Sequence, residues 1–151
     1  MGKAVCGLLA AALLAGAAAP AGAASYEEKA VDYRVGILTG LRWHLEPLMA
    51  MAKGERAFAA EAFARHARRL DQLAAMPWEG FVEGTHNVRL SEARAAIWDN
   101  WADFQDRAER LQEATGALVE ALPVRSVAPV RARLREVAES CKACHDEYKS
   151  D

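Results

Sequence analysis

A chain of 151 residues with 19 Lys and Arg against 21 Asp and Glu, a formal net charge of -2 and 52% hydrophobic residues has the length and apolar content for one domain with its own core. Near-neutral charge, with basic residues spread along the chain, removes the electrostatic basis for nucleic-acid binding. Three cysteines are too few for a fold stapled by several disulfides.

In chain order, Lys3 precedes an apolar run from Ala4 to Ala19, followed by Pro20-Ala21-Gly22-Ala23-Ala24. A basic start, an apolar middle and a small-residue end make a secretory signal peptide, with cleavage predicted after Ala23 or Ala24. The alternative is a membrane anchor. Against it, the run is alanine-rich, shorter than the roughly 20 apolar residues that span a bilayer, and lacks a basic stop-transfer flank. Cys6 leaves with the peptide, since no lipoprotein-type small-residue approach precedes it. The reading is therefore 1–24 signal and 25–151 one periplasmic domain, with no membrane attachment and only Cys141 and Cys144 left as thiols.

Four segments carry helical periodicity. The first runs from about Tyr26 to Lys53, with Ala30, Tyr33, Ile37, Leu41, Leu45 and Leu48 on one stripe, Gly54 closing it and a kink expected at Pro47. The second covers about Ala57 to Ala75, with Phe63, Ala67, Leu70 and Leu73 on one face, and Pro77 stops it. A connection from Ala75 to Leu90, containing Pro77, Gly80, Gly84, His86 and Asn87, is long enough to be a functional loop.

The third helix is expected to open at Ser91 as N-cap and to carry Ile97, Trp101, Phe104, Ala108, Leu111, Thr115 and Leu118 in an unbroken stripe up to Leu122-Pro123. The fourth starts near Ser126 and reads Val130, Leu134, Val137, Cys141, Cys144, Tyr148. Nothing alternates like a strand. Four amphipathic helices can bury their stripes only against one another, which predicts an all-α antiparallel four-helix bundle.

The last helix carries Cys141-Lys142-Ala143-Cys144-His145, and Cys-x-x-Cys-His is the attachment pattern of a c-type haem. Thiols three residues apart on a helix share a side and can both form thioethers with one porphyrin edge. The adjacent imidazole can then bind the iron axially. A bare Cys-x-x-Cys would leave a redox disulfide or half a zinc site open; the histidine narrows it to one covalent haem c per chain.

With this motif at the end, the chain resembles the cytochromes c′, the class II c-type cytochromes. The likeness rests also on Ala30-Val31-Asp32-Tyr33-Arg34, on Met76-Pro77-Trp78-Glu79-Gly80-Phe81 with Gly84-Thr85, on Ile97-Trp98, and on Ser140 and Asp146-Glu147-Tyr148 flanking the motif. The resemblance implies that Arg34 reaches a haem propionate, and a buried arginine does need an anionic partner; the alternative is a surface pair with Asp32 or Glu28. It implies that Leu38, one turn on, sits over the open side of the iron where low-spin relatives place a ligating Met. Leucine has no lone pair, so the iron is expected to be five-coordinate and high-spin.

Val35, Trp78, Phe81, Thr85 and His86 are further pocket candidates by the same resemblance, with Trp98 beside them; simple core packing is the alternative for the aromatics. An apolar distal side favours NO and CO, which bind ferrous haem without the hydrogen-bond donor that dioxygen needs. Lys149, one turn after His145, keeps the charge but not the planar fork of the arginine many relatives carry beside the proximal imidazole. His66 is expected at the surface among Arg65, Arg68 and Arg69, and His44 on a helix surface or interface.

The function read from these residues is a periplasmic haem c protein that binds NO and CO and cycles Fe(III)/Fe(II). The resemblance also implies a homodimer through the first two helices, with which an exposed Trp43 is compatible; the redox partner stays open. Two other classes compete. An electron carrier would want a six-coordinate iron, and Leu38 supplies no ligand. An enzyme would be a peroxidase, which needs a distal base not found near Leu38, or a thiol oxidoreductase, which leaves His145 unexplained.

Overall fold

The structure, a computed structural model, describes residues 23–150; the signal segment through residue 22, Cys6 included, lies outside the described residues. Five α-helices make the framework: α1 Tyr26–Lys53, α2 Ala60–Ala74, the short α3 Ala96–Asp99, α4 Trp101–Glu120 and α5 Arg131–Tyr148. Single 3-10 turns stand at Pro77–Gly80, Thr85–Asn87 and Ala128–Val130, and the described residues contain no strand.

Local chemistry sets the ends of α1. Ser25 caps it reciprocally: its hydroxyl accepts from the Glu28 amide at 3.2 Å while its own amide donates to the Glu28 carboxylate at 2.8 Å, so two otherwise orphaned donors are satisfied. Gly54 closes the helix at φ 78°, a left-handed conformation that glycine adopts without steric cost. Pro47 lies inside α1, yet the helix assignment continues through it. The proline removes the hydrogen bond to the Trp43 carbonyl without ending the helix.

The order of cross-helix contacts gives the directions. Tyr33 meets Met76, Gly40 meets Leu73 and His44 meets His66, so α1 and α2 run antiparallel. Asp103 meets Tyr148 and Arg107 meets Ala143, so α4 and α5 do too. Contacts of α2 with α4 and of α1 with α5 close the ring into a four-helix bundle.

Two core regions result. One is built from Leu41, Leu48, Phe63, Leu70, Leu118, Val130, Leu134 and Val137 and is closed by apolar side chains alone. The other gathers Ile97, Phe104 and Tyr148, with Trp78, Phe81 and Cys144 packed against them.

The third predicted helix needs correction. Ser91 is not its N-cap: its hydroxyl is taken by Arg34 and by the Ala93 amide. The regular helix begins at Trp101, after the short α3 and a break at Asn100 (φ -128°, ψ 42°). Trp101 leaves the buried stripe, 38% exposed, while Ile97, Phe104, Ala108, Leu111, Thr115 and Leu118 hold it. The second helix starts at Ala60 and the fourth at Arg131, the latter after a 3-10 turn.

Candidate functional site

The second core region does not close. Between α1, the Pro77–Gly80 turn, the segment up to α4 and the end of α5 lies a cleft of about 490 Å³. Arg34, Val35 and Leu38 face it from α1, Trp78 and Phe81 from the connection, and Cys144, His145 and Lys149 from the C-terminus. Eight of the residues singled out in the sequence therefore converge on one space.

Arg34 is 2% exposed. Its guanidinium donates to the carbonyls of Gly80 at 2.8 Å and Thr85 at 3.2 Å, and to the hydroxyls of Thr85 at 2.5 Å and Ser91 at 2.7 Å. It also lies 4.6 Å over the Phe81 ring. These are dipoles and a π face; no carboxylate pairs with it among the described residues, which overturns the surface pair with Asp32 or Glu28. Burial lowers its pKa from the ordinary arginine value. A buried cation held only by neutral acceptors has no opposite charge to offset its burial, so an anion brought to the cleft would stabilise it.

The turn that cradles Arg34 is tightly packed. A Cβ on Gly80 would meet the Ala30 carbonyl and the Arg34 Cβ at 2.8 Å each, so only glycine lets the connection approach α1 this closely. Tyr33 fastens the same turn from outside, its hydroxyl donating to the Met76 carbonyl at 3.0 Å and to Glu79 at 2.6 Å.

The apolar wall is aromatic. Trp78, Phe81 and Phe104 pack with ring centroids 4.8 to 6.1 Å apart, and the Trp78 indole is fixed by donating to the Ala74 carbonyl at 2.7 Å. Leu90, at the mouth, has φ 70°, an unusual conformation for leucine and therefore a site of local strain.

On α5, burial pushes the Cys144 thiol up to about 11 and raises Cys141 as well. Both cysteines are free. Partial desolvation first, then the Lys149 charge, lowers the pKa of His145, which favours the neutral imidazole, the form that has a lone pair for a metal. The helix that carries them is held from α4, where Arg107 donates to the Ala143 carbonyl at 2.7 Å. It is also held at its tip, where Arg94 donates its amide to the Tyr148 carbonyl at 2.9 Å and Ser150 donates its amide to the Glu92 carbonyl at 2.8 Å. Lys149 pairs with Glu92 at 3.1 Å, so the last turn is anchored rather than fraying.

Three candidates sit elsewhere. Cys141 packs against the closed core region rather than lining the cleft. Thr85 is fully buried beneath Arg34 and acts through it. His86 faces Trp98, with ring centroids 5.5 Å apart, and pairs with Asn87; its Nδ1 and the Trp98 Nε1 are buried without a partner. Sequence reading missed Ser91, Glu92, Ile97, Phe104 and Tyr148 as site residues. Phe104 was visible only as helix stripe and Ile97 as stripe and as part of the Ile97-Trp98 likeness, and nothing local to Ser91 or Glu92 signals the distant partner each one meets.

A family model described as Cytochrome C′ matches residues 29–149. The chain belongs to the cytochrome c′ family. Cytochrome c′ from Halomonas halodenitrificans is 34% identical over 130 residues, covering 82% of this chain and 98% of that one. Among solved structures, cytochrome c prime from Shewanella frigidimarina superposes with a TM-score of 0.81 at 29% identity, covering 85% of this chain and 100% of that one. A nitric oxide complex of a leucine-to-alanine variant of the Alcaligenes xylosoxidans cytochrome c prime does so with a TM-score of 0.75 at 30% identity, covering 83% and 97%.

The family cofactor is a covalent haem c. The residues present fit it: the free thiol of Cys144, the His145 imidazole, an aromatic wall and a buried cation without a carboxylate line one cleft, and the free thiol of Cys141 stands on the same helix one turn before Cys144. Among the described residues, no helix is long and apolar enough to cross a membrane.

Proposed function

We propose that this chain is a periplasmic five-coordinate haem c protein that takes up NO, and CO, on the side of the iron covered by Leu38. When bound, the haem supplies an Fe(III)/Fe(II) couple and one coordination position open to a diatomic ligand. Cys141 and Cys144 hold it by two thioethers. His145 presents the one imidazole among the described residues lining the cleft. Arg34 offers its guanidinium to a propionate, and Trp78 and Phe81 exclude water.

The observation that carries this reading is Leu38. It lines the same cleft as His145, from α1 where His145 comes from α5, and it carries no atom able to ligate. No methionine lines that cleft, which supports a vacant sixth position over the saturated iron of a dedicated electron carrier. A thiol oxidoreductase needs a thiolate near neutral pH, and both thiols are pushed the other way. The NO complex of a relative supports the gas ligand. Cleavage after Ala23 or Ala24, export to the periplasm and a homodimer through α1 and α2 belong to the same proposal. Trp43, 69% exposed on α1, is in keeping with the dimer.

Optical spectra of the ferric, ferrous, CO-treated and NO-treated protein test it. High-spin ferric and ferrous bands that shift with either gas are expected. Leu38→Met should move the ferrous spectrum toward low spin and slow gas binding at least tenfold, while Leu38→Ala should speed it. A low-spin parent spectrum, insensitive to both gases, defeats the proposal.

A further inference from the structure

Outside the cleft, His44 of α1 and His66 of α2 face each other across the helix pair. Their Nδ1 atoms are 2.9 Å apart, with ring centroids 5.2 Å apart and planes at 51°. Both side chains are half-buried, which corrects the surface placement expected for His66. At that distance one Nδ1 holds the proton and the other its lone pair, so two ligand atoms converge on a single proton.

Two nitrogens bound to one tetrahedral metal at about 2.0–2.1 Å stand roughly 3.3–3.4 Å apart. The nitrogens need to separate by about half an ångström, and because the two Nδ1 atoms point at each other nearly along one line, both rings must also tilt so that their lone pairs meet at the metal.

We propose that His44 and His66 form a two-histidine site for a late first-row divalent cation, binding Cu²⁺ more tightly than Zn²⁺. Both Nδ1 atoms ligate and water completes the coordination. As the cation enters, the shared proton moves by way of solvent to the Nε2 of the ring that held it, so both rings ligate as neutral imidazoles and nothing is oxidised or reduced. Among the described residues no three His, Cys, Asp or Glu side chains are placed to hold one metal ion together, so the protein provides two ligands.

The surroundings set the strength. Arg69 acts on both rings, and Arg56 and Arg65 act on His66. Their charge opposes an incoming cation, so the site is weak and its affinity is governed by those arginines.

The test is calorimetric titration of the haem-loaded protein with CuCl₂ and, separately, ZnCl₂, with electron paramagnetic resonance of the copper complex. One copper per chain showing two-nitrogen hyperfine structure is expected. It should weaken at least tenfold in His44→Gln and in His66→Gln, where the amide keeps a hydrogen bond across the helices. Arg69→Gln should tighten binding several-fold, and Zn²⁺ should raise the Tm of the parent but not of the histidine variants. Binding unchanged in both histidine variants, no binding by the parent at millimolar metal, or no tightening in Arg69→Gln overturns the proposal; the last holds even if a histidine variant folds poorly.

Discussion

The two ends of this bundle solve different packing problems. Around Phe63, Leu48, Leu118 and Val130, all essentially inaccessible to solvent, apolar stripes from α1, α2, α4 and α5 meet and fill the space themselves. Around Arg34, Leu38, Phe104 and Tyr148, α1, α4, α5 and the connection after α2 leave a cleft of about 490 Å³ between them, and a buried guanidinium has only neutral acceptors. A core of the first kind is complete in the amino-acid sequence. A core of the second kind is complete only with a group that brings apolar bulk and negative charge together.

The largest expected effect breaks that comparison most directly. Cys141→Ser with Cys144→Ser should give protein without covalent haem. Amide hydrogen exchange should then lose protection over the Pro77–Gly80 turn, α3 and the end of α5, while the α1–α2 half around Phe63 stays protected. Uniform loss of protection throughout would show that the two regions are one cooperative unit and that the closed end does not stand by itself.

Phe63→Ala tests the opposite end. Its ring is fully buried, 5.6 Å by centroid from Phe58, and truncation should cost about 3–5 kcal/mol, read from urea midpoints. The absorption spectrum and the rate of CO binding should be unchanged. If either moved with stability, cavity strain would be reaching the cleft, and the division between the ends would be less sharp than the packing indicates.

The bundle was legible in the sequence because stripes such as Leu41, Leu48 and Phe63, Ala67, Leu70 follow the helical period and need no knowledge of their partners. The cleft was legible at Cys144 and His145, which belong to a motif of fixed local spacing, and at Arg34 and Leu38 through resemblance. It was not legible at Ser91, read as a helix cap because serine before an apolar stripe commonly is one. Its hydroxyl instead serves Arg34, 57 positions away in the chain, a tertiary demand with no local signature. His44 and His66 failed to show for the same reason. Each is one polar residue on its own helix, and only the antiparallel register of α1 and α2 brings them together.

The smallest expected effect lies at the seam between the ends. The Tyr148 hydroxyl donates to Asp103 at 2.6 Å, and Arg107 donates to the same carboxylate at 2.6 Å. Hydrogen bonds from Arg107 and then Tyr148 hold Asp103 below its ordinary pKa of 3.8. The folded state therefore favours the carboxylate, and the contribution is complete above pH 3.8 and fades as pH falls below it toward the lowered folded value. Tyr148 behaves in the reverse sense: burial first, then Asp103, raises it from 10.0 to about 12, so its contribution is complete below pH 10 and fades between 10 and 12. Asp103→Asn removes the first effect and the Asp103 part of the second, leaving the larger part that burial causes, and keeps a hydrogen-bond acceptor. Urea midpoints of the haem-loaded parent and variant should differ little at pH 7, and the gap should narrow further on going to pH 3. Spectra should match throughout, since Asp103 does not line the cleft. A gap that widens in acid would mean that Asp103 is protonated in the folded protein, and a spectral change would place this seam within the haem end rather than beside it.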